Sequence, residues 1–167
     1  GLSSNEQRPS YRVAKYMMEH GYTIIPVNPA ESEILGQKCY ASLAEIPQKI
    51  DIVDCFRKSV DIPPLAEAAI AIGAKTLWLQ LEIINEAATQ RASTAGLNVV
   101  QDLCIKIEHA RLLGSSSVPA MLAAITGKPD QQAHQRIGQP VEDAVWQKLI
   151  SPVLLDDFVG TVRHRLI

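Results

Sequence analysis

The sequence predicts an α/β protein built on a doubly wound parallel sheet, and one repeated pattern carries that prediction. Three times a helical stretch ends on glycine and runs into a short apolar segment: Gly21 before residues 22–27, Gly73 before 76–81, and Gly96 before 97–100. Glycine supplies the positive φ that ends a helix without a Cβ penalty. Each following run is short, continuous and rich in branched side chains, as a strand covered on both faces must be. Strands alternating with helices then imply parallel pairing through crossovers.

The elements follow in order. The chain opens on Gly1, Leu2, Ser3, Ser4 and Asn5, a Gly-x-Ser loop, and Arg8-Pro9-Ser10 stands at the start of the first helix. Small residues before a helix let backbone N–H groups approach phosphate oxygens, and the helix dipole favours the anion. Arg8 would pair with a phosphate bidentately. The plainer reading makes Ser10 an N-cap and leaves Arg8 solvated. In the first helix, over 12–20, Val13, Tyr16, Met17 and His20 share one side. The strand over 22–27 closes on Pro26-Val27-Asn28-Pro29, and a further strand is expected at 52–56. The helix over 62–72 starts with Pro63-Pro64 and aligns Leu65, Ala68, Ala69 and Ile72. Strand 76–81 comes next, then a helix over 85–95 with Asn85 as N-cap, then strand 97–100.

Around Gly114-Ser115-Ser116-Ser117 the alternation stops. Helical patterns follow over 118–126, 140–150 and 154–166, marked by Val141, Val145, Trp146, Leu149, Leu155, Phe158, Val159 and Val162. The sequence therefore divides into an α/β domain over 1–114 and a helical extension over 115–167 that packs on the first domain or on another subunit. A doubly wound sheet also needs a strand ahead of its phosphate loop, and no run in the α/β part supplies it. Either that strand lies upstream of this sequence or another segment fills the gap; the reading favours the former.

Several classes are excluded. The formal net charge is -2, so no nucleic-acid partner is expected. No apolar run approaches the roughly 20 residues of a membrane-spanning helix, and the opening residues lack a signal-peptide pattern. Cys39, Cys55 and Cys104 form no Cys-x-x-Cys pair, which points to reduced thiols in the cytoplasm. His20, His109, His134 and His164 make no i, i+4 pair, so no metal is expected. NAD is disfavoured: the loop is not Gly-x-Gly-x-x-Gly, and no carboxylate stands at Pro26-Val27-Asn28-Pro29 to hold a ribose.

The motifs Gly1-Leu2-Ser3, Arg8-Pro9-Ser10, Gly21-Tyr22, Pro26-Val27-Asn28-Pro29, Leu35-Gly36, Cys39-Tyr40, Asp54-Cys55-Phe56-Arg57, Trp78-Leu79-Gln80 and Cys104-Ile105-Lys106-Ile107-Glu108-His109 occur in this order. Over residues 1–114 the chain resembles the small bacterial and archaeal CoA-binding proteins related to the nucleotide domain of succinyl-CoA synthetase. The resemblance implies a five-stranded Rossmann-like domain that binds coenzyme A or an acyl-CoA across its switch point. It gives Gly1, Leu2, Ser3 and Ser4 the pyrophosphate, assisted by Arg8 and Ser10. It sets Asn28 and Pro29 on the adenosine side, Phe56 and Arg57 beside the nucleotide with Arg57 or Lys58 near a phosphate, and Trp78 and Gln80 at the pocket border. Phe56 and Trp78 have a plain alternative as packing residues, and Asn28-Pro29 as a turn.

Two departures bear on that site. Glu82 stands where the family usually has glycine, and Leu103 where arginine commonly precedes the cysteine. No nucleophile held beside a base is visible. His20 reads as a helix-end residue, Glu108 and Arg111 as an ion pair beside His109, and Cys104, at the end of the last strand, as a packed thiol. A binding module is therefore expected rather than an enzyme. The competing reading is an interaction subunit with a degenerate site that forms a homo-oligomer through Val141, Val145, Trp146 and Leu149.

Overall fold

A computed structural model of the protein describes residues 1–113 and 165–166. The expected contributions of Val141, Val145, Trp146, Leu149 and the rest of the 115–164 stretch lie outside the described residues. By contacts the chain divides into two units, Gly1–Cys104 with Arg163–Ile167, and Ile105–Val162.

The first unit begins with helix α1 (Pro9–Glu19). Proline at its first position loses no hydrogen bond, because the first N–H groups of a helix have no intrahelical partner. The helix buries Ser10, Val13, Ala14 and Met17 and ends ahead of Gly21, whose φ is +90°. Strand β1 (Thr23–Ile24) follows. It is shorter than the apolar run that contains it, since Pro26 has no N–H to give a ladder. Val27 instead makes an isolated parallel bridge with Tyr40.

The next stretch carries no α-helix. It holds a hairpin of β2 (Glu33–Ile34) and β3 (Gln37–Lys38), and a 3-10 turn over Leu43–Glu45. Leu35 and Gly36 both take positive φ between the two strands, +54° and +70°, as a tight hairpin turn demands. Sequence periodicity gave no sign of this hairpin, because two-residue strands are too short to show alternation.

The remaining alternation matches expectation. Strand β4 (Ile52–Cys55) leads through a 3-10 turn (Ser59–Asp61) into α2 (Ile62–Ala71). Then come β5 (Thr76–Leu79), α3 (Glu86–Thr94) and β6 (Asn98–Val100). Asn85 caps α3 by accepting from the Ala88 N–H at 2.9 Å. Val53, Cys55, Leu77 and Leu79 pack with Ala66 and Ala69 of α2 and Ala88 and Ala92 of α3. Trp78 alternates away from this cluster and is still wholly buried, so β5 is covered on both faces.

A seventh strand, β7 (Arg165–Leu166), completes the sheet, whose order is β1-β7-β4-β5-β6. Every pairing in it is parallel. One expectation is corrected here. Arg165 and Leu166, covered by the helical pattern over 154–166, form a strand instead. Periodicity fails at 165–166 because pairing on two sides overrides local propensity.

In the second unit, α4 (Ile105–Leu113) carries the expected ion pair, Arg111 Nη2 to Glu108 Oε2 at 2.9 Å. Cys104 is not at a strand end: β6 stops at Val100, and Cys104 is buried just ahead of α4.

Candidate functional site

The loops at the carboxyl ends of β1 and β4 come together around residues 1–4, where strand order reverses. Leu2 N–H donates to the Val27 carbonyl at 3.2 Å. Asn28 Nδ2 donates to the Leu2 carbonyl at 2.9 Å, while Asn28 Oδ1 accepts from Ala30 N–H at 2.9 Å. A Cβ on Gly1 would stand 2.2 Å from the Val27 oxygen. Glycine is required there by close backbone approach.

The loop is also tied to the helix it precedes. Ser10 Oγ, buried in α1, accepts from Ser3 N–H at 3.2 Å. Ser3 Oγ accepts from Asn5 N–H at 3.1 Å, and Asn5 Oδ1 from Gln7 N–H at 2.9 Å. Ser10 is therefore not the N-cap. That position belongs to Arg8, whose backbone is extended and whose side chain makes no cap bond. The N–H groups of Ser10 and Tyr11 precede the first intrahelical bond, Arg12 N–H to Arg8 carbonyl. No acidic residue sits in that first turn. Backbone donors and a positive dipole end meet at the start of α1, where the N-cap residue Arg8 is exposed.

The remaining predicted residues separate into two groups. Pro29, Arg57 and Lys58 are exposed, and Arg57 reaches Asp61 at 3.6 Å. Phe56 is half-buried. It lines a cavity with Leu2, Ser10, Val13, Ala14, Met17, Ile24 and Asp54. Trp78 and Gln80 are buried. Trp78 is 0% exposed with Nε1 donating to the Leu103 carbonyl at 2.6 Å, and Gln80 is 3% exposed. A wholly buried indole packs and satisfies its own N–H.

Sequence reading missed two acidic groups. Glu31 Oε1 accepts from Ser4 Oγ at 2.6 Å, which draws that hydroxyl toward the β1–β2 connection. Asp54 Oδ1 accepts from Gln80 Nε2 at 2.6 Å. Burial raises the Asp54 carboxyl to about 7, opposed by the Gln80 bond. The signal was present: Asp54 is the one carboxylate inside the apolar run Ile52-Val53-Asp54-Cys55-Phe56. Burial also pushes the Cys55 thiol up to about 12. Cys39, Cys55 and Cys104 are all buried.

Glu82 has φ +65°, its N–H donating to Asp102 Oδ1 at 2.7 Å. The backbone there demands the left-handed region, which explains why glycine suits the position. Among the described residues no three His, Cys, Asp or Glu side chains gather as a metal site. No helix among them is long and apolar enough to cross a membrane.

A glycine-tight loop feeding a helix N-terminus at the switch point of a parallel sheet is the arrangement of a Rossmann-like domain. The chain belongs to the CoA binding domain family, which residues 1–110 match. It is 46% identical to the uncharacterized protein YneT of Bacillus subtilis (strain 168) over 110 residues, 66% of this chain and 82% of that one. It is 29% identical over 75 residues to an ADP-forming acetate–CoA ligase of Methanocaldococcus jannaschii, covering 45% of this chain and 11% of the ligase. Among solved structures, a hypothetical protein from Pyrococcus horikoshii OT3 matches with 45% identity and a TM-score of 0.67. That match covers 68% of this chain and 80% of the other.

Proposed function

We propose that the α/β domain binds coenzyme A or an acyl-CoA without catalysing a reaction on it. The observation that carries this reading is the loop over residues 1–4. It is fixed by Leu2 N–H to Val27, Asn28 Nδ2 to Leu2 and Ser3 N–H to Ser10, so its geometry is set before any ligand arrives. The donor set fits a pyrophosphate: free N–H groups at the start of α1, with Arg8 exposed beside them. Arg57 and Lys58, exposed past the end of β4, would serve further phosphate oxygens, and Asn28 and Pro29 the adenosine. Membership of the CoA binding domain family supports coenzyme A over other dinucleotides.

Absence of catalysis is part of the proposal. The thiols are buried, and burial disfavours the reactive thiolate. His20 is the exposed residue that closes α1, its Nδ1 2.7 Å from the Tyr16 carbonyl oxygen. The test is calorimetric titration of coenzyme A, with NAD as control. Saturable coenzyme A binding, weakened about tenfold in Arg8→Ala as loss of one charge-assisted contact implies, is expected. A folded protein that binds neither nucleotide would overturn the reading.

A further inference from the structure

The loops that follow β4 and β5 hold large apolar side chains in solvent. Among the described residues, Val60 is 80% exposed and Ile84 49% exposed. Single apolar side chains on a surface are ordinary, but these two belong to one unit. Their strands are paired neighbours, and the loops are bonded to each other. Ser59 Oγ donates to the Ile84 carbonyl, and Asn85 Nδ2 donates to the Ser59 carbonyl at 2.9 Å. Asn85 N–H donates to Gln101 Oε1 past the end of β6 at 3.0 Å, and its Oδ1 caps α3. Nearby side chains do reach the core: Ile62 is wholly buried, and Ile83 packs on the cluster beneath α2 and α3. The backbone that carries Val60 and Ile84 is fixed, and both side chains are turned outward.

Position and polarity say what would meet them. A nucleotide-type ligand lies across the carboxyl ends of the strands in an open parallel sheet. Asn28 and Pro29 follow β1, at one edge of the sheet, while Val60 and Ile84 follow β4 and β5, on the other side of the 1–4 loop. With adenosine on the β1 side, the arm that leaves the pyrophosphate runs toward β4 and β5, whose ends lie about 4.8 Å apart. The side chains change character in the same direction: Arg57 and Lys58 come first, then Val60. Around Ile84 the exposed charges are negative, Glu82 and Glu86. Like charges repel, so an acyl group that ends in a carboxylate is disfavoured there.

We propose that Val60 and Ile84 seat the acyl chain of an acyl-CoA, and that this chain is aliphatic and uncharged. The inference rests on the coenzyme A reading above and goes beyond it by naming the ligand class: acyl-CoA over free coenzyme A, and an aliphatic acyl group over a dicarboxylic one.

The test is calorimetry on the full chain with free coenzyme A and its acetyl, butyryl, hexanoyl and succinyl thioesters. A buried methylene is worth up to roughly fourfold in affinity, so hexanoyl-CoA is expected to bind about tenfold tighter than acetyl-CoA. Butyryl-CoA is expected to bind tighter than succinyl-CoA, and Glu82→Gln to narrow that gap. Val60→Ser with Ile84→Ser should abolish the gain with chain length and leave free coenzyme A binding unchanged; both side chains are exposed, so the fold survives. Equal affinity at every chain length, or a gain that survives both substitutions, overturns the proposal and leaves the coenzyme A reading standing. Succinyl-CoA binding as tightly as butyryl-CoA overturns the uncharged assignment. A folded chain that binds none of these ligands overturns both readings. Sedimentation in which the parent self-associates and the doubly substituted chain does not would give the patch to a second copy, which also overturns the proposal.

Discussion

The two halves of the sheet are built differently. On one side β4, β5 and β6 pair over four and then three residues, with α2 and α3 packed together beside them. On the other, β1 and β7 pair over two residues, and β7 touches β4 at a single pair. The first half is apolar and continuous: Leu77, Trp78 and Leu79 are wholly buried. The second half is interrupted by Pro26 and by loops held through side-chain bonds from Asn28 and Ser10. Stability is concentrated where strands are long and covered, and the 1–4 loop is hung from the part that has the least ladder. Low-stability regions are where ligand loops are commonly found.

The largest test of this contrast is Trp78→Ala. It leaves a large void beneath β5 and orphans the Leu103 carbonyl, and should cost about 3–5 kcal/mol in urea unfolding. A loss under about 1 kcal/mol would mean that the β4–β6 half does not carry the fold.

Asp54→Asn tests the seam between the halves. The folded-state carboxyl is raised to about 7, above its unfolded value near 3.9. The protonated form is favoured by folding, so this contribution is complete below about pH 4 and is lost as pH rises through about 7. Asparagine cannot ionise. The variant should gain on the order of 2 kcal/mol over the parent at pH 8 and nothing comparable at pH 4, as read by thermal unfolding at both pH values. Parallel pH curves would show that Asp54 is not buried as described.

Gly1→Ala sharpens the comparison from the other side. Its Cβ meets the Val27 oxygen at 2.2 Å, so the loop must shift. Coenzyme A affinity should fall about tenfold, near 1.4 kcal/mol, while the melting temperature stays nearly unchanged. Equal losses in both would mean that loop and core are one cooperative unit.

The smallest effect is expected at Glu82. Its φ of +65° costs a side chain about 1 kcal/mol, so Glu82→Gly should raise the melting temperature by roughly 2–4 °C. No gain would indicate that the bond from Glu82 N–H to Asp102 already offsets the strain.

Legibility in the sequence follows the same division. Gly21, Gly73 and Gly96 were read as helix stops and take φ of +90°, +69° and +97°, because that demand is local. Strands β4, β5 and β6 were legible because burial on both faces leaves an apolar run. The Gly-x-Ser stretch before Arg8-Pro9-Ser10 was legible as a loop that leads into a helix. The role of Ser10 was not, since its bond to Ser3 joins residues on either side of a turn. The burial of Trp78 and Gln80 was not legible for a related reason. A residue at the end of a strand reads the same whether it faces a pocket or the core, and only the packed neighbours decide.

The sequence by itself determined the α/β class, the alternation of helices and strands from β4 to β6, and the place of the Gly-x-Ser loop ahead of α1. Each of these depends on propensity, φ demand or periodicity within a few residues. Only the tertiary structure decided that Asp54 sits beside Gln80, that Glu31 holds Ser4, and that Arg165–Leu166 pairs between β1 and β4. Those outcomes join residues far apart in the chain. Their free energy comes from desolvation and from pairing across the sheet, which no local window of sequence contains.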